Sequence, residues 1–259
     1  MKIALITGAS SGIGREFART LDQRGYDELW VLARRKERLE ELGSCCQTRI
    51  RPLPLDLTKP ESFHTLHTLF STERPEILTL VNASGFGLFG AFTERDLEGQ
   101  LEMVELNIKA LTALTYMALP YMANNGEIYE LGSLSAFQPV PYLGVYAATK
   151  AYVVSFTESL SEELRGTGVS ATAFCPGPTA TEFGEAAGLD ESAFGRISLD
   201  KWERSAAACA EAGWAAMQAG RTVKIDGCWN TVLAVSAQIL PRLWVRRIAG
   251  VIFRNVPRK

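Results

Sequence analysis

Short apolar runs and longer amphipathic segments alternate along the chain. ALIT, WVLA, ILTLV and EIYELG each span four to six residues, and RTVKIDG reads as a last strand near the C-terminus. Between them lie segments of helical periodicity, such as REFARTLDQRG, in which Phe17, Ala18 and Leu21 recur on one face. Strands alternating with helices of ten to twenty residues predict an α/β fold: a doubly wound parallel sheet with helices on both faces. No linker, repeat or low-complexity stretch divides the 259 residues, and 47% hydrophobic content can fill a large core. Residues 1–259 therefore read as a single domain.

The first strand, Lys2 to Thr7, runs into Gly8-Ala9-Ser10-Ser11-Gly12-Ile13-Gly14 and then into the first helical segment. Glycines let the backbone turn sharply and approach a pyrophosphate, while the unpaired N–H groups and positive end of the helix attract its charge. An ordinary strand-to-helix turn is the plainer reading. Three glycines and no side chain large enough to block a ligand favour dinucleotide binding, which makes the predicted sheet Rossmann-type.

Tyr146 and Lys150 are four residues apart in VYAATKAY, so on a helix they share a face. A phenol titrates near 10, too high for ready proton exchange at neutral pH. At an effective dielectric of ~20, a cation ~4 Å away is worth about 4 kcal/mol, an upper bound of roughly three pKa units. Lys150 is thus expected to lower Tyr146 and make it a usable acid and base. Ser133, thirteen residues before the tyrosine, follows GEIYELG. It is expected at a strand's carboxyl end, where open α/β sheets bind ligands. Alone, a Tyr and Lys at this spacing are a weak signal.

The order of the parts makes the signal specific. TGASSGIG, Asn82 to Gly85, Asn107, Ser133, Tyr146 with Lys150, and PGPTAT at 176–181 resemble, in order and rough spacing, the short-chain dehydrogenase/reductase family over about residues 2–183. The resemblance implies that Tyr146 is the proton donor and acceptor. It makes Lys150 the group that lowers its pKa and holds the nicotinamide ribose, Ser133 the carbonyl-orienting hydroxyl, and Asn107 the holder of a water linking the lysine to solvent. It places Gly8, Ser10, Ser11, Gly12, Ile13 and Gly14 along the pyrophosphate. Asn82, Ala83, Ser84 and Gly85 line the cofactor, while Pro176, Gly177, Thr179 and Thr181 lie over the nicotinamide. Asp56, with Leu57, matches the position facing the adenine; a capping role for the helix after it is an equally natural reading. Two departures stand out. The family's usual second asparagine is Ala83, and Gly132 stands where many relatives carry a serine.

Charge argues for the phosphorylated cofactor. The second strand ends at Ala33, nineteen residues after Gly14, and Arg34 and Arg35 follow. An Asp or Glu about 20 residues past the glycines would accept from a ribose 2′-OH, whereas arginine suits a 2′-phosphate. No acid stands there in the sequence, so NADP(H) is preferred over NAD(H). Arg34, directly after the strand, is the better placed, and Arg35 alternatively belongs to a solvated helix start.

The net charge of −2 and the lack of a basic stripe with interleaved aromatics argue against nucleic acid. Cys45, Cys46, Cys175, Cys209 and Cys228 follow no disulfide or metal pattern and read as reduced, hence cytoplasmic. His64 and His67 read as a solvated helix face, so no metal is expected. No signal peptide is visible. Residues 182–200 are expected to form a substrate loop. With Phe137, Gln138 and Tyr142 they are expected to roof the site; Phe137, Tyr142, Phe183 and Phe194 point to an apolar small-molecule carbonyl or alcohol substrate, with simple packing as the alternative reading of these aromatics. Residues 228–259 form a basic amphipathic extension, interrupted by Pro241 and too charged to span a membrane. It suits a peripheral membrane contact, a lid over the substrate, or a subunit interface. Relatives assemble as dimers or tetramers through the helices bearing Asn107 and Tyr146, which makes a homodimer or homotetramer the expectation. Beside an NADP(H)-dependent carbonyl reductase stand two alternatives: a non-catalytic NADP(H)-sensing module, and an epimerase or dehydratase that recycles its cofactor.

Overall fold

A computed structural model of the protein describes residues 1–188 and 203–254. Its centre is a seven-stranded, all-parallel sheet. The strands are β1 (Lys2–Thr7), β2 (Glu28–Ala33), β3 (Arg49–Pro54), β4 (Glu76–Asn82), β5 (Met122–Leu131), β6 (Ser170–Cys175) and, after a two-stranded ribbon of β7 (Thr179–Ala180) and β8 (Arg204–Ser205), β9 (Val223–Ile225). Their spatial order is β3-β2-β1-β4-β5-β6-β9, so the chain winds outward from β1 in one direction and then from β4 in the other.

The two faces follow from the alternation of side chains along each strand. Ala4 and Ile6 of β1 point to one side, with Leu29, Val31, Tyr129 and Phe174. There they meet α1 (Gly12–Thr20) through Phe17 and a later helix (Ala206–Gln218) through Cys209, Ala210 and Met217. Ile3, Leu5, Trp30 and Leu32 point to the other side and meet α3 (Pro60–Glu73), α5 (Leu111–Ala118) and α6 (Gly144–Glu163) through Phe70, Leu114 and Leu160. Both faces are buried, so the strands read as continuous apolar runs.

Among the described residues the remaining helices include α2 (Lys36–Cys45), which carries Arg38, α4 (Leu97–Val104) and α7 (Phe183–Ala186). With Ala206–Gln218 as α8, the C-terminal helices are α9 (Cys228–Ile239) and α10 (Arg242–Arg254). Between α4 and α5 the chain makes a π-helical turn, Glu105–Ala110, and Asn107 sits in it. His64 and His67 are both exposed on α3. Among the described residues no helix is long and apolar enough to cross a membrane.

Candidate active site

The carboxyl ends of the strands open into a cavity of about 1110 Å³. Strand order reverses there, between β1 and β4, which leaves the crevice where doubly wound sheets take ligands. Every residue nominated from sequence for the cofactor lines it except Asn82 and Lys150, and Ser133 and Tyr146 line it too.

The glycine turn is a shaped cradle. Gly8 has φ +69°, and a Cβ there would lie 2.8 Å from the Ala83 carbonyl oxygen; a Cβ on Gly14 would lie 2.6 Å from the Gly8 oxygen. Neither position admits a side chain, so the start of α1 presses against β1 and the loop after β4. Ser11 caps α1 without a side-chain hydrogen bond, and the first turn holds no acidic residue. Its N–H groups and positive end face the cavity, which fits a pyrophosphate.

The arginines are arranged differently from the sequence expectation. Arg35, rather than Arg34, lies on the glycine turn: its guanidinium donates to Ser10 Oγ at 3.1 Å and Ser11 Oγ at 2.9 Å. Arg34 is two-thirds exposed and pairs with Glu102 at 3.5 Å. An acid does enter this region. Glu182 accepts from Arg35 at 2.9 Å and from Arg38, and these partners hold its carboxyl below its ordinary range. It is 147 residues from Arg35, so inspection of the residues after β2 could not find it.

Asp56 accepts from the Thr58 N–H at 3.0 Å and its hydroxyl at 2.8 Å. The residue capping α3 is Lys59, so the capping reading of Asp56 is not realised. A local turn holds the carboxylate on the cavity wall instead. Asn82 is buried and turns away, donating to Thr115 Oγ1 at 2.9 Å and Glu130 Oε1 at 3.0 Å. Ala83, Ser84 and Gly85 continue to the wall.

Around Tyr146 the elements converge. Ser133 leaves β5 and caps a short 3-10 turn, Leu134–Phe137, accepting from Ser135 N–H at 3.2 Å and Ser135 Oγ at 2.9 Å. Its own O–H remains to donate, and a hydrogen bond from Ser133 favours the Tyr146 phenolate. Gly132 has a reason: a Cβ there would lie 2.7 Å from Cys175 Sγ. Thr149, which sequence reasoning missed, donates to the Tyr146 carbonyl at 2.7 Å and accepts from Asn107 Nδ2 at 3.1 Å. Asn107 also exchanges hydrogen bonds with the Phe86 backbone, at 2.9 and 3.1 Å. Its side-chain oxygen and nitrogen therefore both have protein partners.

The expected lowering of Tyr146 by Lys150 is not what the geometry gives. The Lys150 ammonium lies 5.8 Å from the tyrosine ring centre and donates to the Leu131 carbonyl at 2.6 Å. Loss of water around the phenol pushes Tyr146 up to about 12, with only the hydrogen bond from Ser133 opposing it. Burial likewise brings Lys150 down to about 8. A second residue missed from sequence explains part of this setting. Glu130 of β5 is fully buried, accepts from Asn82 and from Thr115 at 2.9 Å, and is pushed up to about 8 by burial, with the Lys150 charge opposing. Its other oxygen has no hydrogen-bond partner among the described residues.

On the substrate side, Phe183 lines the cavity with its ring 5.2 Å from that of Tyr146. Gln138 lines it too, as does Phe253 of α10, which was not anticipated. Phe137 packs against Val154, Ala173 and Cys175, and Tyr142 against Phe89, so these two aromatics serve packing. Phe194 and most of the expected loop 182–200 lie outside the described residues.

This arrangement agrees with the relatives of the chain. Residues 2–192 match the family model described as short chain dehydrogenase. A sulfoacetaldehyde reductase of Chromohalobacter salexigens is 36% identical over 187 residues, covering 70% of this chain and 74% of the relative. An oxidoreductase of Staphylococcus epidermidis is 33% identical over 192 residues, covering 71% and 83%. A short-chain dehydrogenase from Sphingobium yanoikuyae, solved in complex with NADPH, superposes with a TM-score of 0.78 at 27% identity, covering 91% of this chain and 94% of the other. The chain belongs to the short chain dehydrogenase family and is an oxidoreductase of Rossmann fold.

Proposed function

We propose that the protein is an NADP(H)-dependent carbonyl reductase or alcohol dehydrogenase that interconverts an apolar ketone or aldehyde and its alcohol. The observation that carries this reading is the meeting of Ser133 and Tyr146 on one cavity wall, with Lys150 buried behind them. When bound, the dinucleotide supplies or accepts the hydride at the carbonyl carbon. The side chains handle the oxygen and the proton. Ser133 holds the substrate oxygen by turning its O–H from Tyr146 to it, and Tyr146, neutral near pH 7, donates the proton in reduction. Asn107 and Thr149 are positioning residues for the helix that carries Tyr146.

The glycine cradle fits a pyrophosphate, and Arg34 and Arg35 flank the space beyond β2 where a 2′-phosphate would sit. A phosphate dianion would replace Glu182 and Glu102 as their partner. Solved relatives carrying NADPH and NADP+ support the same preference. We further infer one catalytic domain over residues 1–259 and a cytoplasmic location, supported by five free cysteines. A homodimer or homotetramer would form through the α4–α6 side, where Leu101, Tyr116 and Tyr152 are exposed.

The test is carbonyl-dependent NADPH oxidation across a panel of ketones and aldehydes, run on the wild type and Tyr146→Phe, with NADH as control. Turnover that the variant loses by about 10²-fold or more supports the reading. Alcohol oxidation should rise from neutral toward alkaline pH, because it needs the scarce phenolate, while reduction should not. NADPH binding without turnover on any carbonyl would instead favour a sensor of the NADP(H) ratio.

A further inference from the structure

The C-terminal helices present a surface that the catalytic reading does not use. Of seventeen large apolar residues exposed in the described chain, eleven lie between Trp229 and Ile252. The family match ends at residue 192, well before them. Helix α10 is fixed in orientation: Val245 and Ala249 are buried, and Phe253 packs 6.4 Å from Phe89. That leaves Trp244, Ile248 and Val251 on an outward arc, 63%, 53% and 67% exposed. Arg247 and Arg254 flank the arc on its free side. Helix α9 adds Trp229 and Ile239, 61% and 78% exposed.

Charge identifies the occupant. Residues 228–259 contain six basic residues and no acid, which leaves the first 227 residues at −8 when the whole chain is −2. The apolar arc therefore lies on a strongly positive segment of a protein whose remainder is net acidic. Arg242, Arg246, Arg247 and Arg254 are all exposed. A second copy seated symmetrically on this face would bring the same arginines together. An anionic lipid surface instead offers the opposite charge and an apolar layer for the arc. Exposed tryptophans suit the interfacial depth. Helix α10, at thirteen residues, is too short to span the bilayer.

We propose that the outer face of α9 and α10 docks this protein on an anionic membrane surface. The test is co-sedimentation of the full chain with phosphatidylcholine vesicles, with and without about one third phosphatidylserine. Binding is expected only with phosphatidylserine, and at ~1 M salt, where screening reaches about 3 Å, it should fall at least about tenfold. Trp244→Glu and Ile248→Glu should each reduce partitioning about tenfold. Arg247→Gln should reduce it about fivefold. Melting temperature and NADPH binding, read on every variant, should stay at wild-type values. Three results would overturn the proposal: no binding by the wild type, equal binding to both vesicles, or light scattering in which Trp244→Glu dissociates a dimer that never bound lipid.

Discussion

The two ends of the cavity are built on different principles. At the dinucleotide end, backbone does most of the shaping: Gly8 and Gly14 sit where a Cβ would collide with main-chain oxygen, and the bare start of α1 supplies N–H groups. Those features follow from a few consecutive residues. At the substrate end, the wall is assembled from side chains brought from distant segments: Gln138 beyond β5, Phe183 of α7 and Phe253 of α10. One end is specified locally and recognises a group common to many enzymes. The other is specified by tertiary packing and is free to differ.

The largest effect that would sharpen this contrast is expected from Gly14→Ala. Its Cβ would meet the Gly8 oxygen at 2.6 Å, so the turn must open. Overpacking of this kind costs about 1–3 kcal/mol of stability, and NADPH affinity should fall by more than about tenfold. Unchanged NADPH titration and melting would show that the turn is not a rigid cradle.

Next comes Arg35→Ser. Loss of a charge-assisted hydrogen bond worth about 1.5–3 kcal/mol predicts roughly a 10- to 150-fold rise in the NADPH dissociation constant, with NADH little affected. Equal weakening of both cofactors would assign the guanidinium to the glycine turn alone, where it already holds Ser10 and Ser11.

Phe183→Ala tests the opposite end. An apolar substrate seated against this ring should show a KM at least about tenfold higher, in line with roughly 1.5–3 kcal/mol for a buried phenyl group, while NADPH affinity stays constant. A change confined to the cofactor would break the division between the two ends.

The smallest effect concerns Glu130, beneath both. Its folded pKa of about 8 lies above the ordinary 4.5, so the folded protein holds the proton more tightly than the unfolded chain. That contribution is fully present below about 4.5 and is lost as pH rises toward 8. Lys150, brought down to about 8 from 10.5, acts only above this window, where its contribution grows with pH. Glu130→Gln mimics the protonated acid, so its melting temperature relative to wild type should climb between pH 5 and 8, by roughly 3–6 °C for about 1–2 kcal/mol. A constant difference across that range would show that the carboxyl does not titrate as its burial predicts.

The chain's own pattern determined the sheet, the glycine turn and the neighbourhood of Ser133, Tyr146 and Lys150, because strands buried on both faces, a strand-to-helix turn and an i,i+4 pair are all short-range features. Local spacing also placed two arginines after β2. Only the tertiary structure decided which of them meets the glycine turn and that Glu182 would join it, since that carboxylate arrives from a segment 147 residues further along the chain. The same holds for Glu130, Thr149 and Phe253, whose roles come from neighbours on other elements. The tyrosine teaches the sharpest lesson. Spacing put a cation beside it, but the sign of its pKa shift depended on how much water the fold removed, and burial is a property of the assembled molecule.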